Sequence, residues 1–178
     1  MILLVSLLGI YLKGNKVKKS VTIHSKDWGH SVQQTVDGGY IIAGVSWRPG
    51  GWQSDVYLIK TDADGMEVWQ KTFGGRFGDY GRSVQQTTDG GYIVAGNTWP
   101  LGRIGSSKVY LLKIDHKGNK EWARTIGAGG SEYGFSVCRT SDGGYMVAGK
   151  TVRNDKGDDD VYLIKTFADG TKAWSKTL

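Results

Sequence analysis

Aromatic and arginine side chains in three stretches, 45–54, 97–107 and 150–159, are the residues best suited to bind a ligand. An exposed indole ring can stack on a sugar ring, a nucleobase or a peptide, and a neighbouring guanidinium adds donors and cation–π contact. The candidates are Trp47, Trp52, Trp99, Arg48, Arg103 and Arg153. Packing of these rings on their own loops is the alternative, and the sequence does not choose the ligand.

Three carboxylate–aromatic pairs recur at a fixed spacing and form a second candidate set. They are Asp27-Trp28, Asp79-Tyr80 and Glu132-Tyr133, which we expect in the crossovers between repeats. Such a pair can contact a ligand. The alternative is structural, with the acid accepting backbone N–H groups and the ring packing between repeats. A fixed repeat register favours the structural interpretation.

The residues for catalysis are sparse. Gly29-His-Ser31 and Gly81-Arg-Ser83 begin like a nucleophile elbow but lack its closing glycine. The three histidines stand at unrelated repeat positions and Cys138 is the one cysteine, so we expect neither a zinc site nor a disulfide framework. No phosphate-binding loop or dinucleotide fingerprint is present. We therefore expect a protein that is not an enzyme.

Calcium is the one cofactor that the acidic turns suggest. Clustered carboxylates suit a hard cation, and the candidates are Asp62, Asp64, Asp155, Asp158 and Asp160. Neither cluster matches a full calcium-binding loop, and Lys117 and Lys108 replace acids in the sister repeats. A solvated turn without a cofactor is the favoured interpretation.

An internal repeat organises the chain. The segment that begins at Ser31 returns at Ser83 and Ser136, at steps of 52 and 53 residues. Trp69, Trp122 and Trp174 follow the same spacing, and we expect them in the core between neighbouring repeats. The sequence thus predicts repeats over 24–73, 74–126 and 127–178, all within one domain.

The N-terminal residues 1–23 match the second half of a repeat. A step of 104 residues places 5–10 on 109–114 and 13–16 on 117–120. We therefore predict a degenerate half-repeat there; a decayed export signal is the alternative. Its apolar run, 2–12, is too short to span a bilayer, and its lysines follow that run rather than precede it.

Each repeat predicts four β-strands. The first strand alternates polar and apolar residues, and an Asp-Gly-Gly hairpin joins it to a second, apolar strand. A third strand is continuously apolar, and a fourth carries the tryptophan. The content of 28 Gly, 7 Trp and 9 Tyr fits aromatic-rich strands joined by tight turns. Four antiparallel strands per repeat, buried on both faces, predict an all-β fold of β-propeller blades.

The repeat pattern resembles the SBBP-type β-propeller repeats of bacteria and archaea. The resemblance covers 24–178 through Gly-Gly-x-x-x-Asp-Tyr-Gly-x-Ser-Val, Asp-Gly-Gly-Tyr-Ile-Val-Ala-Gly, Val-Tyr-Leu-Ile-Lys and Trp-x-Lys-Thr. It implies a seven-bladed propeller, often in cell-surface or exported proteins, without a shared activity. The Asp-x-x-Gly-x-x-x-Trp piece also resembles the tryptophan-docking segment of quinoprotein propellers, where it is structural.

Charge argues against a nucleic-acid ligand. The net charge is +6, but residues 1–30 alone contribute +4 from five lysines and one aspartate. The rest of the chain is nearly neutral, whereas nucleic-acid binders concentrate basic charge on their binding surface. We also expect no membrane span.

We therefore expect a non-enzymatic propeller module, binding or structural, at the cell surface or outside the cell. A glycan or a peptide is the expected ligand. The alternative is a quinoprotein-like enzyme with a cofactor on the propeller axis.

The strand count predicts association of several chains. Three repeats and a half supply fourteen strands, half of those in a seven-bladed ring. We expect a homo-oligomer, either a closed dimer or a head-to-tail filament; a fragment of a longer propeller is the alternative.

Overall fold

A computed structural model describes residues 26–48, 53–100, 107–127, 129–152 and 159–178. Within these ranges the chain forms twelve β-strands and no helix, which confirms the predicted all-β class. No described helix has the length and apolar character needed to cross a membrane. The strands are β1 (Asp27–Gln34), β2 (Tyr40–Trp47), β3 (Ser54–Thr61), β4 (Glu67–Phe73), β5 (Asp79–Gln86), β6 (Tyr92–Thr98), β7 (Lys108–Ile114), β8 (Lys120–Ile126), β9 (Ser131–Arg139), β10 (Tyr145–Val152), β11 (Asp159–Thr166) and β12 (Lys172–Thr177).

The strands form three antiparallel sheets, one for each predicted repeat. Sheet 1 has the order β1-β2-β3-β4, sheet 2 the order β5-β6-β7-β8, and sheet 3 the order β9-β10-β11-β12. Every neighbouring pair is antiparallel and follows directly in sequence. The described part of the chain therefore contains three meanders, and the predicted half-repeat 1–23 lies outside the described residues.

Glycines close the first hairpin of each sheet. In sheet 2, Gly90 has a φ of 81°, in the left-handed region that glycine enters without steric cost. The next residue, Gly91, has no room for a side chain, since a Cβ there would lie 2.4 Å from the carbonyl oxygen of Ile114. Both glycines of the Asp-Gly-Gly turn are thus required, for different reasons.

A buried lysine ties the third strand of each sheet to this hairpin. In sheet 2 the Lys113 ammonium is 4% exposed, lies 2.9 Å from Asp89, and donates to the carbonyl of Ile114. Thr87 Oγ1 and the Gly91 N–H also donate to Asp89. Sheets 1 and 3 repeat the arrangement with Lys60–Asp37 and Lys165–Asp142. The recurring Lys and Asp therefore fix the two central strands at the hairpin end.

The first strand of each sheet is longer than predicted and contains a β-bulge. The pairing skips one residue after Gly29, Gly81 and Gly134, where glycine lets the backbones approach. The carboxylate–aromatic pairs consequently lie at the start of β1, β5 and β9, and the prediction that they belong to the crossovers is wrong. The second strand also extends further, so Trp47 lies in β2 rather than in a loop.

Neighbouring sheets pack face to face, and the core lies between them. We call the side of a sheet that faces the following sheet its forward face, and the opposite side its rear face. One core cluster joins the forward face of sheet 1, including Val56 and Leu58, to the rear face of sheet 2, including Val84 and Leu112. A second cluster joins sheets 2 and 3 in the same way. Only sheet 2 is covered on both faces within the described residues.

The exposure of the recurring tryptophan depends on whether another described sheet packs on the forward face of its own sheet. Trp69 packs on the core cluster between sheets 1 and 2, with its ring centroid 6.0 Å from that of Tyr92. Trp122 packs likewise between sheets 2 and 3. The core prediction does not hold for Trp174, which is 40% exposed because no described sheet follows sheet 3.

The first strands of neighbouring sheets are also joined by side-chain hydrogen bonds. Ser31 Oγ accepts the N–H of Val84 at 3.3 Å, and Ser83 Oγ accepts the N–H of Val137 at 3.2 Å. Gln33 Oε1 accepts the N–H of Gln86 at 2.6 Å. The first strands of the repeats thus hold neighbouring sheets together through Ser and Gln side chains.

We expect Trp122→Ala to lower the free energy of unfolding by about 3–5 kcal/mol, because it empties a space between two sheets. Trp99→Ala should cost well under half of this, since Trp99 lies at the loop edge and not between the core faces. Urea denaturation of both variants measures the difference. Comparable midpoints would contradict the core assignment.

The Lys113–Asp89 pair makes stability depend on pH. Burial alone would raise the pKa of Asp89, but hydrogen bonds from Thr87 and Lys113 lower it to about 2 from 3.8. The carboxylate therefore stabilises the fold above about pH 4, and this contribution is lost as the pH falls toward 2.

Asp89→Asn should lower the unfolding free energy at pH 7 by about 1 kcal/mol, a modest value because solvent screens a side chain that is 57% exposed. The difference from the parent chain should be largely lost at pH 2, which is close to the pKa of Asp89 in the folded state. Urea titrations at pH 7, 4 and 2 test this, with Asp64→Asn in an exposed turn as control. A difference that persists at pH 2 would show that charge is not the cause.

Candidate binding site

A row of four aromatic rings runs along the loop edge of sheets 1 and 2. Ring centroids are 6.2 Å apart for Trp28 and Trp47, 5.9 Å for Trp47 and Tyr80, and 5.1 Å for Tyr80 and Trp99. All three contacts are edge-to-face, an arrangement that aromatic quadrupoles favour. The structure therefore brings together four predicted candidates from two different repeats.

The row is anchored at one end and open at the other. The Trp99 ring lies over Gly78, where a Cβ would be 3.2 Å from it. The backbone N–H of Trp99 donates to the Gly78 carbonyl. Trp28 begins the row and is 57% exposed. More than half of its surface is accessible to a ligand, and its contact with Trp47 joins it to the other rings.

The bulge in each first strand presents one further side chain beside an aromatic ring. These bulge residues are His30, Arg82 and Phe135, each two positions after a ring of the carboxylate–aromatic pairs. The Arg82 guanidinium lies 5.3 Å from the Tyr80 ring centroid, and Phe135 stacks on Tyr133 at 6.3 Å. A bulge redirects a side chain out of the regular alternation. The three bulges therefore add three different side chains to one edge.

His30 bridges two sheets at this edge. Its Nδ1 lies 2.8 Å from the carbonyl oxygen of Gly81 and donates to it. This contact uses one ring nitrogen and leaves Nε2 as the polar atom facing outward. Arg82 Nε lies 3.5 Å from Asn97 Oδ1, and the side chain forms no ion pair with a described residue.

Arg48 and Asp79, both predicted ligand contacts, lie in the joint between sheets 1 and 2. Arg48 forms a two-point ion pair with Asp55, at 2.8 and 2.7 Å, and donates to the Gly75 carbonyl. Asp79 is 4% exposed and accepts the N–H of Gly75. Burial raises the pKa of Asp79, although hydrogen bonds from Thr98 and Gly75 oppose the shift. Both side chains hold the crossover between sheets.

Glu132 occupies the matching place between sheets 2 and 3. It is 1% exposed, lies 2.6 Å from the Lys108 ammonium, and accepts the N–H of Gly130. Its neighbour Tyr133 is partly buried, with the Lys150 ammonium 5.3 Å from the ring centroid. Lys108 holds the repeat position of Asp55, so an ion pair is present in both joints but the charge at this position is reversed.

Asp27, the third acid of the set, has no preceding sheet to meet within the described residues. It lines an open cavity of about 330 Å³ beside sheet 1, together with Trp47, Arg48, Tyr57 and Gln70. Its Oδ1 atom is buried and has no hydrogen-bond partner in the described part of the chain. In the two joints between described sheets, the preceding sheet occupies the place that corresponds to this cavity.

The acidic turns do not assemble a described metal site. Asp62 Oδ1 accepts the N–H groups of Asp64 and Met66, which shapes the turn. Asp160 lies in β11. No group of three potential ligand side chains is present among the described residues. Five predicted candidates lie outside those residues, namely Trp52, Arg103, Arg153, Asp155 and Asp158.

Comparison with known proteins gives no family. No protein-family model matches the chain, and a search of curated proteins finds no significant match.

Sequence analysis missed the bulge residues. His30 and Arg82 were considered only as the middle of an incomplete nucleophile elbow. The signal was present, because this position changes from His to Arg to Phe inside a segment that otherwise repeats closely.

We expect Glu132→Gln to lower the unfolding free energy by about 3 kcal/mol, because the Lys108 ammonium would lose its buried counter-charge. Glu67→Gln, the same change at a less buried site, should cost less than about 0.5 kcal/mol. Chemical denaturation at pH 7 compares them. Equal losses would show that the joint does not depend on this ion pair.

Proposed function

We propose that this chain is a non-enzymatic repeat module of β-propeller type that binds a glycan at its loop edge. The observation that carries the proposal is the row of Trp28, Trp47, Tyr80 and Trp99, which crosses from one sheet to the next.

The sheet arrangement supports the propeller part of the proposal. Each sheet is a four-stranded meander, neighbouring sheets pack face to face, and their first strands lie side by side. Propeller blades have this strand order around a central channel. Closure of the ring belongs to the proposal, since the three described sheets are open.

The chemistry of the edge favours a glycan over other ligands. A sugar ring presents one apolar face of C–H groups and a rim of hydroxyls. The exposed Trp28 ring offers a flat apolar surface, while His30 at the bulge of the same strand and Arg82 beside the Tyr80 ring offer polar atoms. Adaptable polar contacts on a rigid scaffold are typical of binding edges.

The edge holds positions that differ between repeats, which supports selective binding. The bulge carries His30, Arg82 or Phe135. The residue seven positions after the tyrosine that begins the second strand is Trp47 or Trp99, but Val152 in sheet 3. We infer that sheets 1 and 2 form the main contact and sheet 3 a weaker one.

Trp28→Ala should weaken glycan binding about tenfold or more, because it removes the exposed stacking surface. A glycan array with the intact chain identifies the best ligand, and calorimetric titration of that glycan compares variants. Phe167→Ala is the matched control, since Phe167 is 59% exposed against 57% for Trp28 but lies in a hairpin of sheet 3.

Phe167→Ala should bind as the parent chain does. Unchanged affinity of Trp28→Ala, or no binding to any glycan, would contradict the proposal. Binding to a peptide library instead would keep the edge but change the ligand class.

A further inference from the structure

We propose that two copies of this chain dock head to tail, with the forward face of sheet 3 of one copy against the rear face of sheet 1 of the next. The inference concerns a different surface from the loop edge and does not depend on glycan binding. It rests on a contact that already occurs twice inside each chain.

The forward face of sheet 3 is apolar, and no other described sheet covers it. Val56 and Val109 hold one position of this face in sheets 1 and 2, and both are fully buried. Val161 holds it in sheet 3 and is 51% exposed. Trp174 and Leu178 add exposed apolar area on the same side. The third sheet therefore presents the surface that the first two sheets bury.

The rear face of sheet 1 is the complementary half. Val84 and Val137 occupy one position of this face in sheets 2 and 3, at 3% and 2% exposure. Val32 occupies it in sheet 1 and is 65% exposed. The described residues thus carry both halves of one contact, and no other described sheet covers either half.

The cavity beside sheet 1 has the shape of a missing neighbour. In sheet 2, Tyr110 shares a core cluster with Phe73 of sheet 1. In sheet 1 the corresponding ring, Tyr57, lines the open cavity of about 330 Å³ instead. Leu178 holds the repeat position of Phe73, so docking places its side chain at this cavity. Asp27, whose Oδ1 lacks a described partner, would enter a joint as Asp79 does.

Backbone contacts predict the register of docking. Ser31 Oγ accepts the N–H of Val84, and Ser83 Oγ accepts the N–H of Val137. The next member of this series joins Ser136 of one copy to the N–H of Val32 of the other. The strand-to-strand distance at this point is short enough for a serine side chain to span it.

A second copy is the favoured occupant because the two faces complete each other and not themselves. Such a heterologous contact closes into a ring when its rotation allows, and otherwise extends. Two copies supply six sheets, within the four to eight of closed propellers. Soluble proteins seldom leave broad apolar patches in water.

Variants that place a charge on one face test whether the contact joins the forward face of sheet 3 to the rear face of sheet 1. Val32→Glu blocks the rear face of sheet 1, and Val161→Glu blocks the forward face of sheet 3; both side chains are exposed, so each variant should fold. At micromolar concentration the parent chain should exceed the 19.4 kDa of one chain by light scattering, whereas either variant alone should be monomeric.

An equimolar mixture of the two variants should restore a dimer, because each retains the half that the other lacks. Val36→Glu is the control: Val36 is 92% exposed but lies in a hairpin turn, so this variant should associate like the parent. A monomeric parent chain, or a mixture that stays monomeric, would overturn the proposal.

Engineered disulfides test the register, in a Cys138→Ser background. Ser136→Cys with Val32→Cys should give cross-linked dimers or longer species on a non-reducing gel. Ser83→Cys with Val137→Cys places the same pair within one chain and should give a cross-linked monomer.

Cross-linking of the second pair alone would overturn the proposed register. Slow maleimide labelling of Val32→Cys in a monomeric chain would mean that residues 1–25 of the same chain cover this face, which would also overturn the proposal.

Discussion

Burial between sheets is the constraint on which the rest of this structure depends. A single four-stranded sheet has no interior, so its apolar residues can leave water only against another sheet. Val56 and Leu58 reach full burial because sheet 2 lies over them, while Val161, at the place of Val56 in the repeat, stays half exposed. Contacts between neighbouring sheets therefore contribute to stability in addition to what each repeat supplies, as in other repeat proteins.

Close approach of the joints explains why so many glycines recur. A Cβ on Gly81 would lie 3.0 Å from the carbonyl oxygen of Gly44, and one on Gly134 would lie 2.9 Å from that of Gly96. Glycine at these positions lets the first strand of one sheet lie against the second strand of the preceding sheet. The same strand bulges there, which frees one side chain per repeat. The glycine and the adjacent bulge therefore account both for the close packing of the sheets and for the side chain that each repeat places outside the strand pairing.

The repeat made the strands and hairpins predictable, since alternation, Asp-Gly-Gly turns and buried apolar runs are local signals. The buried Lys113 was less visible, because lysine is ordinarily exposed and its partner Asp89 is distant in sequence. The bulges are not predictable in this way, because Gly81, two residues before Ser83, fits a loop as well as a strand. The contact of Trp47 with Tyr80 joins two sheets, and no local pattern predicts which rings meet across such a joint.

Repetition also separates structural from ligand-binding roles in a way that one repeat alone would not allow. Asp79 and Glu132 look like site residues by type, yet each is buried and accepts a backbone N–H two to four residues before it. Arg82 stands in the same strand but is free to differ from His30, because the bulge removes it from the pairing. A buried acid recurs in both joints as Asp79 and Glu132, although its charged neighbours differ. The bulge positions lie outside the strand pairing and differ from repeat to repeat, as His30, Arg82 and Phe135.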